Sequence, residues 1–136
     1  MVKVIMGLKG SGKTKQMIDL INQAVSTENG YVVAIERGPK LIYDVHHNIR
    51  LVDANEFDLS SFDVLKGFIA GLYASNFDIT HVFIDSLSKI VPVEPGPEVE
   101  VFLKWLETFS ETNNIKFTVT ISADQSQARE GVRRYF

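Results

Sequence analysis

The chain of 136 residues contains no cysteine. Disulfides, thiol catalysis and zinc–thiolate sites are therefore excluded. It also lacks a basic block: 14 Lys and Arg stand against 17 Asp and Glu, for a net charge of −3 and a pI of about 5.6. That leaves no electrostatic footprint for nucleic acid, whose binding is dominated by phosphate neutralisation. No apolar run approaches the ~18 residues of a membrane span, so no membrane partner is expected. Neither an internal repeat nor a low-complexity segment is present. A strand pattern already begins at Val2, so no signal or transit peptide is expected, and a cytoplasmic protein is the default expectation. What is abundant is apolar side chains, 45% of residues, enough to give one small domain a real core.

Three of the nine glycines fall between positions 7 and 12. Gly7 to Thr14 read GLKGSGKT, which satisfies G-x-x-x-x-G-K-[ST], the phosphate-binding P-loop or Walker A motif. An apolar strand pattern, Val2–Met6, leads in and a helical pattern leads out, the context such a loop requires. Gly7, Gly10 and Gly12 let the backbone turn its N–H groups inward as an anion nest. The following helix adds its positive end. Gly7, Leu8, Lys9, Gly10, Ser11, Gly12, Lys13, Thr14 and Lys15 are the candidate nucleotide contacts. Lys13 is expected at the β- and γ-phosphates and Thr14 on Mg²⁺.

Five strands and three main helices follow from the hydrophobic periodicity. The strands are Val2–Met6, Tyr31–Glu36, Ile49–Val52, His81–Asp85 and Lys116–Ile121. The helices run from about Gly12 to Asn29, from about Ser60 to Ser75, and from Pro97 through Phe109. Ile42 to Asn48 fits either a short helix or a turn, and Val91 to Pro97 reads as a loop. Alternating strands and helices imply an α/β fold, a three-layer sandwich around a mainly parallel five-stranded sheet. The nucleotide-binding domain is expected over residues 1–124. Residues 125–136 form a polar tail, ending in a short edge strand or mobile.

Val82-Phe83-Ile84-Asp85 has the form of a Walker B strand, with Asp85 placed to hold Mg²⁺ opposite Thr14; capping of the next turn is the alternative. Ser86 follows, where many P-loop ATPases carry a water-activating Glu. Glu36, ending a buried apolar strand, is the candidate base; a solvated strand end, or pairing with Arg37 or Lys40, is the rival role. Thr118, Thr120 and Ser122 alternate with apolar residues along the fifth strand. Ser122 is a candidate γ-phosphate sensor, and hydroxyl bonds to neighbouring backbone are the competing reading. His46, His47 and His81 show no ligand spacing and read as surface or strand residues. Arg129, Arg133 and Arg134 are either solvated or arginine fingers for a neighbouring subunit.

These motifs resemble the RecA/KaiC-like P-loop ATPase core, a resemblance carried by GLKGSGKT, by YVVAIE ending in Glu36, and by VFIDSLSKIVP with its Asp-Ser pair. It spans about Val2 to Asp124. It implies a RecA-like P-loop NTPase fold with the fifth strand between the first and the fourth, and the second and third beyond. It further implies Mg²⁺-dependent ATP binding, slow hydrolysis with Glu36 as catalytic residue beside Lys13, and Mg²⁺ as cofactor. A homo-oligomer or protein partner would supply missing positive charge. DNA-binding loops and the usual strands after the sensor are absent, which argues against recombinase or helicase work. Two rival functions remain: a nucleoside or nucleotide kinase, which Ser86 and the lack of Cys oppose, and a nucleotide-sensing module without turnover. No guanine signature of the Asn/Thr-Lys-x-Asp type is present, so ATP is favoured over GTP.

Overall fold

The structure is a computed structural model that describes all residues except 39, 40, 42, 43, 46, 47, 94 and 95. Among the described residues ten strands and helices follow one another: β1 (Val2–Gly7), α1 (Lys13–Thr27), β2 (Tyr31–Glu36), β3 (Arg50–Asp53), α2 (Phe62–Ser75), β4 (Ile79–Ile84), α3 (Leu87–Ile90), α4 (Pro97–Asn113), β5 (Lys116–Ser122) and α5 (Glu130–Arg133). Short 3-10 turns sit at Ala54–Glu56 and Gln125–Gln127. The expected helix or turn across Ile42 to Asn48, Lys40, and the surface reading of His46 and His47 lie wholly or partly outside the described residues.

The five strands form one sheet in the order β1-β5-β4-β2-β3, every neighbouring pair parallel. This is the order that the RecA/KaiC resemblance implies. Parallel strands need cover on both faces, and the alternation along β2 supplies it. Val32 and Ala34 point to one side with Phe83, under Met17, Ile21 and Ala24 of α1. Val33 and Ile35 point to the other with Val82, Ile84, Val119 and Ile121, under α2 and α4. The result is a three-layer α/β sandwich. Among the described residues no helix is long and apolar enough to cross a membrane.

The helix ends have local causes. The Ser61 hydroxyl accepts from Val64 N–H at 3.2 Å and starts α2, and Pro97 occupies the first turn of α4 behind Gly96. Asn114, in the left-handed region at φ 55°, ends α4.

The tail departs from both expected forms. Residues 125–136 make a 3-10 turn and the helical turn α5, not a strand, and they are docked. Val132 and Tyr135 are buried, Tyr135 O accepts from Val4 N–H at 2.8 Å, and its hydroxyl donates to Glu107 Oε2 at 2.5 Å. Desolvation, then the Glu107 carboxylate, pushes the Tyr135 phenol up to about 12. The tail therefore covers part of the outer edge of β1, which as an edge strand would otherwise present bare amides.

At the end of the sheet away from the loop after β1, His81 is buried on β4. Its Nε2 lies 2.9 Å from Thr118 Oγ1 and its ring stacks on Phe83 at 4.0 Å between centroids. Burial is the main reason its imidazole is pushed down to about 4; Glu28 opposes this and Lys116 adds to it. The unfolded chain binds this proton below an ordinary value of 6.5, and the folded chain only below about 4. Stability from this residue is thus complete above pH 6.5, falls as pH drops towards 4, and is flat below, by up to ~3 kcal/mol. Urea midpoints between pH 7.5 and 5 are expected to fall less steeply in His81→Phe than in the parent; equal slopes would remove His81 as the cause.

Candidate nucleotide site at the carboxyl edge of the sheet

Parallel strands bring their C-terminal ends to one edge, the place where open α/β sheets bind ligands. Register puts four of the residues singled out in the sequence there together. Gly7 pairs with Ser122, so the loop after β1 starts beside the end of β5. Ile35 pairs with Ile84, which sets Glu36 level with Asp85 on adjacent strands, and Asp85 N–H donates to Ile35 O at 2.9 Å. Glu36 and Asp85 are both buried, at 4% and 3% exposure. Two carboxylates kept from water at a strand edge are costly, and they call for cationic or hydrogen-bonding partners.

The loop from Gly7 to α1 has the geometry of an anion cradle. Gly10 and Gly12 take φ 85° and 88°, which side chains with a Cβ rarely adopt. Gly12 is also the residue from which α1 starts, with no side chain capping that helix and no acid in its first turn. Helix α2 has the Ser61 cap and Asp63, and α4 has Glu98 and Glu100. The first amides of α1 and its positive dipole end are thus served by no capping or acidic side chain of its first turn, an arrangement that favours negative charge there.

Lys13 opens α1, and its Nζ lies over the loop, donating to Leu8 O at 3.0 Å and, more weakly, to Ser11 Oγ at 3.5 Å. Desolvation pushes the ammonium pKa down, and the negative charge of Asp85 opposes that shift. A cation short of water and coupled to a carboxylate across the edge suits a phosphate. Thr14 is half-buried beside it, whereas Leu8, Lys9, Gly10, Ser11, Gly12 and Lys15 are exposed.

Glu36 is not a solvated strand end. Its Oε2 accepts from Leu41 N–H at 2.9 Å. Of the two neighbours considered as its partner, Arg37 bonds to Asn55 Oδ1 at 2.9 Å and to Lys89 O at 3.1 Å, and Lys40 lies outside the described residues. Asp53, at the end of β3, steadies the same loop by accepting from Gly38 and Asn55 N–H, and those two bonds hold its carboxyl below the usual range.

The three hydroxyls of β5 separate. Thr118 bonds His81, far from the site. Ser122 is half-buried beside Gly7. Thr120, fully buried, touches Asp85: its hydroxyl donates to Asp85 Oδ1 at 2.7 Å and accepts from Ser86 N–H at 2.7 Å. The alternation of β5 showed a polar face but not which hydroxyl would meet Asp85. The tail arginines are engaged within the chain. Arg129 pairs with Glu100 at 2.6 Å, Arg134 with Glu107 at 3.4 Å, and Arg133 bonds the carbonyls of Gln125, Ser126 and Ala128.

No family model matches the chain, and no curated protein is similar to it in sequence. In fold it is similar to a KaiC-like protein from the hyperthermophilic archaeon Pyrococcus horikoshii OT3, with a TM-score of 0.67 and 19% sequence identity. The match takes in 98% of this chain and 66% of that one. The shared feature is the RecA-like P-loop fold.

Proposed function

We propose that the chain binds ATP with Mg²⁺ at the carboxyl edge of its sheet and hydrolyses it slowly. The observation that carries this reading is the convergence at one edge of the sheet of the Gly7–Thr14 loop, the uncapped start of α1 and Lys13 after β1, with Asp85 and Glu36 on the adjacent ends of β4 and β2. The loop amides and Lys13 bind the phosphates, and Lys13 stabilises charge as it develops on them. Thr14 and Asp85 offer a hydroxyl and a carboxylate to the metal. This sparse oxygen set fits Mg²⁺, which keeps several waters and takes few carboxylates besides phosphate oxygens. Among the described residues no cluster of three or more His, Cys, Asp or Glu offers an all-protein metal site. Bound Mg²⁺ supplies charge neutralisation at the β- and γ-phosphate oxygens. Glu36 orients a water and accepts its proton as the water oxygen bonds to the γ-phosphorus, and the bridging oxygen leaves with ADP. Ser122 contacts the γ-phosphate. A second copy or a protein partner completes the charge of the site.

The Leu41 bond to Glu36 favours a second reading, a nucleotide-sensing module without turnover, because a carboxylate that accepts a backbone N–H is a weaker base. Calorimetry with ATP and Mg²⁺ tests what the two readings share. The parent is expected to bind, and Lys13→Ala to bind ~10- to 100-fold more weakly, the worth of a charge-assisted bond. Equal affinity in the two proteins would overturn the assignment. Phosphate release measured across protein concentrations then separates the readings: turnover per molecule that rises with concentration marks an ATPase completed by assembly.

A further inference from the structure

We propose that Thr120 is a positioning residue that fixes the Asp85 carboxylate for its metal. The inference rests on the reading of Asp85 as the metal-side carboxylate. Its support is the proton count at one buried oxygen. A backbone N–H can only donate, so the 2.7 Å contact from Ser86 makes Thr120 Oγ1 an acceptor there. Among the described residues the single hydroxyl proton then goes to Asp85 Oδ1, also at 2.7 Å. The chain Ser86 N–H to Thr120 O–H to Asp85 Oδ1 runs in one direction only. It commits Oδ1 as an acceptor to the protein and leaves Oδ2 as the oxygen for a metal-bound water.

The same hydroxyl holds the backbone that follows Asp85. Ser86 has φ 57°, the left-handed region, a conformation that costs a non-glycine residue about 1–2 kcal/mol. That turn lets the chain leave β4 and enter α3 directly, with Lys89 N–H bonded to Ser86 O at 2.9 Å. The Thr120 bond to Ser86 offsets the strain, so one side chain on β5 sets both the carboxylate and the turn beside it. Thr120 is buried from solvent and level with Asp85, because Ile84 pairs with Val119 in the β4–β5 register. Ser122, two residues on, pairs with Gly7 on the other neighbouring strand and lies at the loop instead.

Partners that orient a metal's ligands typically change metal affinity by ~10- to 100-fold when removed. Thr120→Val keeps the shape and deletes the hydroxyl; Thr120→Ser keeps the hydroxyl. Two readouts are needed, one of them free of ligand. In the nucleotide-free protein, hydrogen exchange at the Ser86 amide is expected to accelerate in Thr120→Val and to stay slow in Thr120→Ser. In ATP titrations at varied Mg²⁺, the half-saturating Mg²⁺ concentration is expected to rise ~10-fold or more in Thr120→Val and to be restored in Thr120→Ser. If Thr120→Val fails to fold, Thr120→Cys, a weaker donor of similar volume, is expected to shift both readouts the same way by a smaller factor. A folded variant with lower melting temperature but parental Mg²⁺ dependence would show Thr120 to be structural and overturn the proposal. Asp85→Asn separates this failure from that of the underlying reading. If Asp85→Asn raises the Mg²⁺ requirement and Thr120→Val does not, only the role of Thr120 falls. If Asp85→Asn also leaves it unchanged, the metal-side assignment of Asp85 falls, and this proposal with it.

Discussion

Glu36→Gln is expected to lower phosphate release by ~100-fold or more, the usual worth of a general base, while ATP affinity stays within ~3-fold of the parent. The substitution is nearly isosteric at a buried position. An amide oxygen can still accept from Leu41 N–H, so the loop after β2 should hold its shape. What the amide cannot do is take a proton from water. Glu36→Ala is a poorer test because it leaves the Leu41 amide without its acceptor, at about 1–3 kcal/mol, and confuses folding with chemistry. Single-turnover phosphate release and calorimetry on the same preparation make the comparison. Parental turnover in Glu36→Gln would reduce Glu36 to a strap for the loop and send the search for a base elsewhere. A parent that binds ATP but releases no phosphate at any protein concentration would favour the sensing module, with the Leu41 bond as its resting contact.

Phe117→Ala is expected to cost about 3–5 kcal/mol of folding stability, the range for a large aromatic deleted from a core. Phe117 has no exposed surface and lies near the start of β5, the strand flanked by β1 and β4. It packs towards α4, with Phe109 edge-on at 6.2 Å between centroids. Folded domains have only about 5–15 kcal/mol in total, so this loss is a large fraction. Val101, on the outer side of α4 and 60% exposed, is the matched control: Val101→Ala should stay within ~0.5 kcal/mol. Urea denaturation read by circular dichroism measures both. A Phe117→Ala loss as small as that of the control would mean that the sheet collapses around the gap. The β5 register, and with it the level of Thr120 against Asp85, would then be free to shift.

Strand and helix positions were largely legible because their periods are local. β2 has the bounds read from Tyr31-Val-Val-Ala-Ile-Glu36, and α2 starts two residues later than expected because Ser61 caps it from outside. β4 begins at Ile79 and stops at Ile84, so Asp85 stands just past the strand rather than in it. α3 escaped because four residues carry no helical period. The tail was misread because its polar residues outnumber the two, Val132 and Tyr135, that dock it. A pattern weighs every residue alike, but docking depends on the few that find a pocket.

For the site the division is sharper. The sequence alone marked the Gly7–Thr14 loop as the candidate phosphate site, since GLKGSGKT between a strand and a helix encodes its own turn, its own amides and its own lysine within eight consecutive residues. It also marked Asp85 and Glu36 as acids ending apolar strands. Tertiary structure alone decided that these two lie level on adjacent strands, that Leu41 holds one, and that Thr120 rather than Ser122 holds the other. Thr120 and Asp85 are 35 positions apart. No local period relates them. Their contact depends on the β4–β5 register, which the packing of both faces of the sheet sets, and a slip of one residue would turn the Thr120 hydroxyl to the opposite face.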